Sequence, residues 1–264
     1  MSTDIDGVCE NLKGCKLDDE KKISDEALFK QPPPKEDCPI CYLRMPSFRT
    51  GSTYHSCCGK VICSGCCHAP VYDNQGNKVD NTKCAFCRAP YISSDKEVLK
   101  RIKKRVKASD VYGICSLGCH YSDGMYGLSR NNTKALELYH RAGELGFAGA
   151  YNNIGAAYLK GLGVEIDEKK AVHYYKGDEA SRHNLGILEE IAGNKDRALK
   201  HYMIAVRDGH NNALKEIQSL YTSGHATKED YTAALRSYQT YLGEIKSRQR
   251  DKAAAFDSNM YRYY

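Results

Sequence analysis

Cysteine is concentrated in one short part of this 264-residue chain, because nine of its 13 cysteines lie between Cys38 and Cys87. Eight of the nine form four pairs: Cys38 with Cys41, Cys57 with Cys58, Cys63 with Cys66, and Cys84 with Cys87. In a Cys-x2-Cys pair, both sulfurs can reach one zinc ion, at about 2.3 Å, from a tight turn. Four thiolates on one ion leave no open position for water. The spacing therefore predicts closed, structural zinc sites and no zinc-activated hydrolase, with Cys67 as a spare thiol.

Eight cysteines in four pairs resemble a RING finger, in which the ligand pairs alternate between two zinc ions in a cross-brace. The resemblance implies a small zinc-stapled RING domain, mostly irregular, with a short hairpin and a helix. It also implies that one zinc ion is held by Cys38, Cys41, Cys63 and Cys66, and the other by Cys57, Cys58, Cys84 and Cys87.

The second ligand pair departs from the common RING pattern. That pattern has Cys-x-His before the third pair, but Lys60 occupies the histidine position, and a lysine ammonium cannot bind a metal ion. We therefore expect an all-cysteine set that uses both Cys57 and Cys58. Adjacent cysteines on one ion are strained, so His55 or His68 remains an alternative to one of them.

Ile40, Arg88 and Pro90 match positions that contact the ubiquitin-conjugating enzyme in RING-type ubiquitin ligases. The resemblance implies that the finger recruits this enzyme and supplies no nucleophile. Arg88 would hold the enzyme-linked ubiquitin in a reactive pose, because a planar guanidinium can bond two carbonyls at once. In the alternative, Ile40 packs within the zinc turn and Arg88 is a solvated charge. The protein would then be a non-enzymatic adaptor with a purely structural zinc module.

The composition of the chain changes along its length. The N-terminal part is acidic and poor in large apolar residues, which predicts disorder. The cysteine-rich part has too few apolar side chains to fold without a metal ion. A basic amphipathic helix is expected at Asp95–Lys107, with Leu99 and Ile102 on its buried face. The predicted segments are an acidic arm at 1–37, a RING-type finger at 38–90, a basic connecting helix at 91–108, helical repeats at 109–250 and a C-terminal tail at 251–264.

A pattern of glycine and tyrosine recurs in the C-terminal half. An aliphatic residue precedes Gly118, Gly155 and Gly186. Further along each unit, in the part predicted as the second helix, a basic residue is followed directly by an alanine and, a few residues later, by a tyrosine. Glycine within a helix costs about 1 kcal/mol relative to alanine, so these glycines indicate a close approach of two helices. Each unit is therefore predicted to be two helices, which must stack on neighbouring units to bury their apolar faces.

The clearest copy, Ile154–Tyr175, resembles the Sel-1-like repeat, a relative of the tetratricopeptide repeat. The resemblance extends over about four units and implies an all-α helical-repeat solenoid that binds a substrate or scaffold protein. The last unit lacks the interior glycine. The second unit is short between Lys170 and Gly177, so its second helix is expected to be a weak point of the solenoid.

Charge gives little support for a nucleic-acid partner. The formal net charge of +6 would fall to +2 with eight thiolates and two zinc ions. The basic segment Lys100–Lys107 could contact phosphates or direct nuclear import, but a solvated helix face explains it more simply. No apolar run reaches the ~18 residues of a membrane span, and the N-terminus lacks the pattern of a secretory leader. We therefore expect a cytoplasmic or nuclear protein with no membrane partner.

Overall fold

The structure is a computed structural model that describes residues 36–46, 51–69, 75, 77, 82–92, 94–177 and 181–257. The predicted acidic arm lies outside these residues except for Glu36 and Asp37. Up to residue 92 the described chain forms a small region, the cysteine module. From residue 94 onward the described chain is mostly helical. Among the described residues, no helix has both the length and the apolar character needed to cross a bilayer.

The cysteine module contains one β-hairpin and one short helix, as predicted. Strand β1 (Ser52–His55) pairs antiparallel with β2 (Lys60–Cys63), and helix α1 (Ser64–His68) follows β2 directly. The register places Thr53 opposite Ile62. Ile62 is buried, and most of the other buried apolar side chains of the module are cysteines. So small an apolar core needs an additional staple to hold it together.

Helix α2 spans Asp95–Lys107, the range predicted from its apolar period. It buries Ile102 and leaves its lysines exposed, as the amphipathic pattern requires. The helices that follow are α3 (Val111–Asp123), α4 (Asn132–Glu144), α5 (Gly149–Lys160), α6 (Glu168–Gly177), α7 (Arg182–Ile191), α8 (Lys195–Arg207), α9 (Asn211–Thr222), α10 (Lys228–Ile245) and α11 (Arg248–Phe256).

Helices α3 to α10 pack in successive pairs. Helix α3 contacts α4, α5 contacts α6, α7 contacts α8, and α9 contacts α10. Neighbouring pairs are joined by contacts of α4 with α5, of α6 with α7 and of α8 with α9. Contacts between successive pairs are those of a helical-repeat solenoid, as predicted.

A contact between glycine and tyrosine recurs in the first three helix pairs. In the first pair, a Cβ atom added to Gly118 would lie 2.6 Å from Cε1 of Tyr139. The tyrosine ring of the second helix thus occupies the space that a larger side chain would need. The fourth pair has Gln218 at the glycine position, and Tyr238 is only partly buried there. The three contacting pairs are Gly118 with Tyr139, Gly155 with Tyr175, and Gly186 with Tyr202.

Helix α6 is the second helix that the sequence predicts to be short, and the structure describes it as far as Gly177, just before the undescribed residues 178–180. It has 10 residues, whereas α4 has 13. The first helices of pairs one and two end where glycine permits a left-handed residue, at Gly124 (φ 70°) and Gly161 (φ 66°).

The cysteine module contacts both ends of the helical array. At the start, Tyr54 OH donates to Asp110 Oδ2 (3.0 Å), and the ring of Tyr54 stacks on Tyr112. At the end, α11 packs along α1. Residues 251–256, which the sequence predicts as part of a C-terminal tail, form the last part of helix α11. The boundary predicted at residue 250 therefore falls inside a packed helix.

Candidate metal centre

The first and last Cys-x2-Cys pairs lie in loops of the same backbone geometry. In each loop, the amide of the first cysteine donates to the carbonyl five residues later, at 2.9 Å for Cys38 and 2.8 Å for Cys84. The residue after the second cysteine donates to the carbonyl of the first, at 2.9 Å for Tyr42 and 3.0 Å for Arg88. Both of these residues are left-handed, with φ of 56° and 60°. The shared turn brings the two cysteines of each pair close together.

The hairpin carries the other two pairs. Cys57 and Cys58 lie in its turn, where the Cys58 amide donates to His55 O at 3.1 Å. Cys63 ends β2, and Cys66 lies within α1. Because β2 is only four residues long, the hairpin holds one pair at its turn and the other at its opposite end.

The eight cysteines meet in two groups of four, and all sulfurs of a group lie within 4.8 Å of one another. Neighbouring sulfurs are 3.7 Å apart between Cys41 and Cys63, and 3.5 Å apart between Cys57 and Cys87. Four sulfurs placed tetrahedrally at ~2.3 Å from a zinc ion would be about 3.8 Å apart. Both groups therefore fit a tetrahedral zinc ion. The first group is Cys38, Cys41, Cys63 and Cys66, and the second group is Cys57, Cys58, Cys84 and Cys87.

The thiols of each group are close enough to compete for protons. Hydrogen bonds with Cys63 and Cys66 lower the pKa of Cys38 well below its ordinary value, and the contact with Cys38 raises the pKa of Cys66. The hydrogen bond with Cys38 also raises the pKa of Cys63, and Arg250 opposes that rise. In the second group, burial raises the pKa of Cys57. A bound metal ion replaces these shared protons, because it holds every ligand as a thiolate.

The alternative ligands His55 and His68 lie outside both groups. His55 Nε2 is 3.3 Å from Cys67 Sγ, and burial lowers the pKa of this histidine. Burial also raises the pKa of Cys67 to about 12, so Cys67 is a neutral thiol. The ring of His68 packs against Phe256 of α11, with centroids 5.4 Å apart.

Ile40, Arg88 and Pro90, the predicted contacts to a conjugating enzyme, are all exposed. Ile40 lies within the loop of the first pair, and the residue is 37% exposed. Arg88 and Pro90 follow the last pair, where Pro90 O accepts a hydrogen bond from Arg101 of α2 (3.0 Å). Ile40 therefore lies beside the first cysteine group, whereas Arg88 and Pro90 lie beside the second.

Arg105 and Arg250, which sequence reasoning did not single out, also connect the helices to the module. Arg105 of α2 donates from Nε to Ser56 O (2.9 Å) and from Nη2 to Cys57 O, beside the second group. Arg250 of α11 is completely buried and reaches the first group. The basic period of α2 included Arg105 without distinguishing it from its solvated neighbours. No sequence pattern distinguishes Arg250.

The fold and these two groups define a helical-repeat protein whose N-terminal cysteine module can hold two metal ions. The Sel1 repeat family model matches residues 111–147 and 148–176. These segments are the pairs α3–α4 and α5–α6, apart from the last residue of α6. The chain therefore carries Sel1 repeats, which confirms the first two predicted units. No curated protein matches the chain.

Several solved structures are similar to the helical part. A Sel1 repeat protein from Oxalobacter formigenes is 30% identical, with a TM-score of 0.48, and the match covers 56% of this chain and 64% of that one. A protective antigen of uropathogenic Escherichia coli with an SLR fold is 22% identical, with a TM-score of 0.46 and coverage of 61% and 36%. An immunity protein from Pseudomonas aeruginosa is 23% identical, with a TM-score of 0.41 and coverage of 65% and 65%. The chain spans less than two thirds of the length of each.

Proposed function

We propose that this protein is a zinc-stabilised interaction scaffold whose cysteine module recruits a ubiquitin-conjugating enzyme. The observation that carries the proposal is the alternating grouping of the cysteines. The first and third pairs form one group and the second and fourth form the other. Two closed tetrathiolate sites joined by one hairpin are suited to holding a small interaction module rigid. They are not suited to activating water.

Zinc analysis of the full-length protein tests the metal assignment. We expect two zinc ions per chain, and about one after Cys58→Ala, because three thiolates hold a structural zinc ion poorly. His55→Ala and Cys67→Ala are matched controls that should retain two ions, since these side chains contact each other and lie outside both groups. A wild-type content of one ion would contradict the two-site assignment.

The helical array is proposed to hold the protein partner, either a substrate or a scaffold protein. Sel1 repeats in other proteins generally mediate protein–protein interactions, and this chain carries two such repeats and two further helix pairs. Stacked helix pairs of this kind provide an extended surface for a partner. Nucleic acid is disfavoured because the lysines of α2 form an ordinary solvated helix face. Reduced, metal-bound thiols suit a cytoplasmic or nuclear location.

Ligase activity is the specific role that we propose for the module. The exposed Ile40 and Arg88 support it, because both side chains are available to a partner. The test combines the zinc-loaded full-length protein with activating enzyme, a panel of conjugating enzymes, ubiquitin and ATP. We expect ubiquitin chains with at least one conjugating enzyme, and their loss with Ile40→Ala and Arg88→Ala.

Ile166→Ala and Arg130→Ala are the matched controls for these two substitutions. Both residues are exposed and lie on the repeats, so the controls remove the same side chains elsewhere. Unchanged activity in Ile40→Ala and Arg88→Ala would contradict the proposed contacts. Absence of chains with every conjugating enzyme would favour the second candidate function.

The second candidate is a non-enzymatic adaptor in which the zinc module is purely structural. The observation that favours it is the packing of α11 on α1, which covers one face of the module. A module used only to join the ends of the repeats would be covered in this way. This candidate predicts two bound zinc ions and no measurable affinity for any conjugating enzyme.

A further inference from the structure

Arg250 is the largest fully buried side chain among the described residues. Its guanidinium lies between α11 and the loop of the first Cys-x2-Cys pair. Nη1 donates to Arg44 O (2.9 Å) and to Ile245 O (2.6 Å), and Nη2 donates to Leu43 O (3.5 Å). These carbonyl contacts explain where the side chain sits, but they do not supply a counter-charge.

Within the part of the chain that the structure describes, no carboxylate forms an ion pair with Arg250. The nearby Asp208 and Glu244 are bound by Arg44 instead, with Asp208 Oδ1 3.1 Å from Arg44 Nη2. A buried cation without a partner is strongly unfavourable, and a guanidinium cannot lose its proton to escape that penalty. A group able to carry negative charge does lie close by, because Cys41 Sγ is 4.0 Å from Arg250 Nη2.

The first cysteine group supplies the missing charge when it holds zinc. A zinc ion bound by four thiolates carries a net charge of about −2, because the four negative sulfurs outweigh the two positive charges of the ion. Building on the zinc sites of the proposed function, we propose that Arg250 is the counter-cation of the first group. Zinc binding at this group and docking of α11 on the module then stabilise each other, and thermodynamic linkage makes the effect reciprocal.

The packing around Arg250 is suited to this role. Gly65 of α1 faces the backbone of α11, and a Cβ atom added there would lie 2.8 Å from Arg250 N and 2.9 Å from its Cγ. The absence of a side chain at this position allows α11 to approach closely enough for the guanidinium to reach the cysteine loop. The guanidinium of Arg250 therefore reaches the first cysteine group only when α11 is fully packed on α1.

The second group provides an internal control. Arg105 contacts two carbonyls there, and none of its hydrogen bonds reaches a cysteine sulfur of the described chain. It belongs to α2, which directly follows the module. In the described chain, no hydrogen bond joins a cysteine of the second group to α11, so the proposed linkage is expected to be specific to the first group.

Site-resolved metal release from the zinc-loaded full-length protein tests the proposal. The protein is exposed to a chelator together with a thiol-alkylating reagent, and peptide mass spectrometry follows each cysteine with time. In Arg250→Gln, which removes the charge, we expect the first group to be alkylated about tenfold faster or more, and the second group at the wild-type rate.

Two further variants separate charge from packing. Arg250→Lys loses most of the carbonyl hydrogen bonds but keeps the cation, so it should recover most of the protection of the first group. Arg248→Gln makes the same substitution at an exposed position of the same helix and should behave as wild type. Equal alkylation rates in Arg250→Lys and Arg250→Gln would overturn the role of the charge.

The reciprocal effect is measured in the wild-type protein. Hydrogen exchange of residues 248–256 should be slow with zinc bound and fast after zinc removal. Protection that is unaffected by zinc removal would overturn the linkage. A protein that binds no zinc would contradict the proposed function and this inference together, whereas two bound ions with Arg250→Gln at wild-type rates would overturn the inference alone.

Discussion

The two cysteine groups have the same ligand type and similar sulfur spacing, but they differ in their surroundings. Three of the four cysteines of the first group are buried, whereas the second group has only Cys84 buried and Cys87 is exposed. The first group is approached by a cation 209 residues away in sequence, the second by one 48 residues away. Identical ligands can thus depend on very different lengths of folded chain.

This difference separates a local site from a global one. The second group needs the hairpin turn, the last cysteine loop and the adjacent α2. The first group also contacts α11, which follows all the repeats in the chain. Loss of the first group should therefore affect the whole chain, and loss of the second group should remain confined to the module.

The largest expected effect comes from removing one ligand from each group. Cys63→Ser and Cys58→Ser should each lower the zinc content from two ions to about one, since structural zinc contributes roughly 10–16 kcal/mol in zinc-finger peptides. Only Cys63→Ser should also release α11, because Arg250 then loses its counter-charge. Native mass spectrometry with hydrogen exchange measures both effects, and Cys67→Ser serves as the control. Release of α11 by Cys58→Ser would remove the distinction between the groups.

A smaller effect is expected from filling the space between α1 and α11. Gly65→Ala would force an extra carbon against the backbone of α11, and overpacking of this kind costs about 1–3 kcal/mol. Gly243→Ala is the matched control, because a Cβ atom there meets nothing within 4 Å and removal of a helical glycine should stabilise by about 1 kcal/mol. Denaturant unfolding of the zinc-loaded variants measures both changes. Equal stability of the two variants would contradict the close approach of α11.

Arg105→Gln is the counterpart of the Arg250 variants on the second group. Loss of the hydrogen bonds to Ser56 O and Cys57 O should loosen the hairpin turn and release the second zinc ion up to about tenfold faster. The first group should keep its wild-type rate. The exposed Lys104→Gln, one residue earlier in the same helix, should change neither rate. Faster release from both groups would show that the groups are coupled through the hairpin.

The smallest expected effect is a loss of folding stability at lower pH, caused by a buried histidine of the repeats. Burial, with Arg182, Arg197 and Lys176 nearby, lowers the pKa of His201 to about 3. The unfolded chain binds this proton below about pH 6.5 and the folded chain does not, so stability is lost as the pH falls from 6.5 toward 3. Between pH 7.5 and 6.0 the loss from this residue should be about 1 kcal/mol. In urea titrations, His201→Gln should reduce the dependence of the unfolding free energy on pH, whereas substitution of the exposed His173 by Gln should not.

Local features of this chain were predictable from the sequence. The cysteine spacing indicated the metal-ligand pairs, the resemblance to a RING finger implied which pairs would meet, and the apolar period placed α2. The interior glycines at Gly118, Gly155 and Gly186 indicated the close helix contacts, because a helical glycine is unfavourable without such a reason. These features depend on residues that are near in sequence or that repeat.

The features that the sequence could not provide are long-range or conformational. Arg250 occurs in a short, weakly amphipathic helix, and nothing near it in sequence indicates a buried partner. Tyr42 and Arg88 adopt left-handed backbone angles without being glycine, so composition does not mark their turns. The sequence did point to the cysteine turns themselves, since pairs on one ion require a tight bend.

The contact of the module with both ends of the helical array limits how the repeats can deform. An isolated stack of helix pairs behaves like a spring, since each pair touches only its neighbours and small rotations add along the stack. In this protein both ends of the stack contact the cysteine module, at α2–α3 and at α11. Extension of the repeats therefore requires one of these contacts to break, and the end held by α11 is the one whose strength depends on a metal ion.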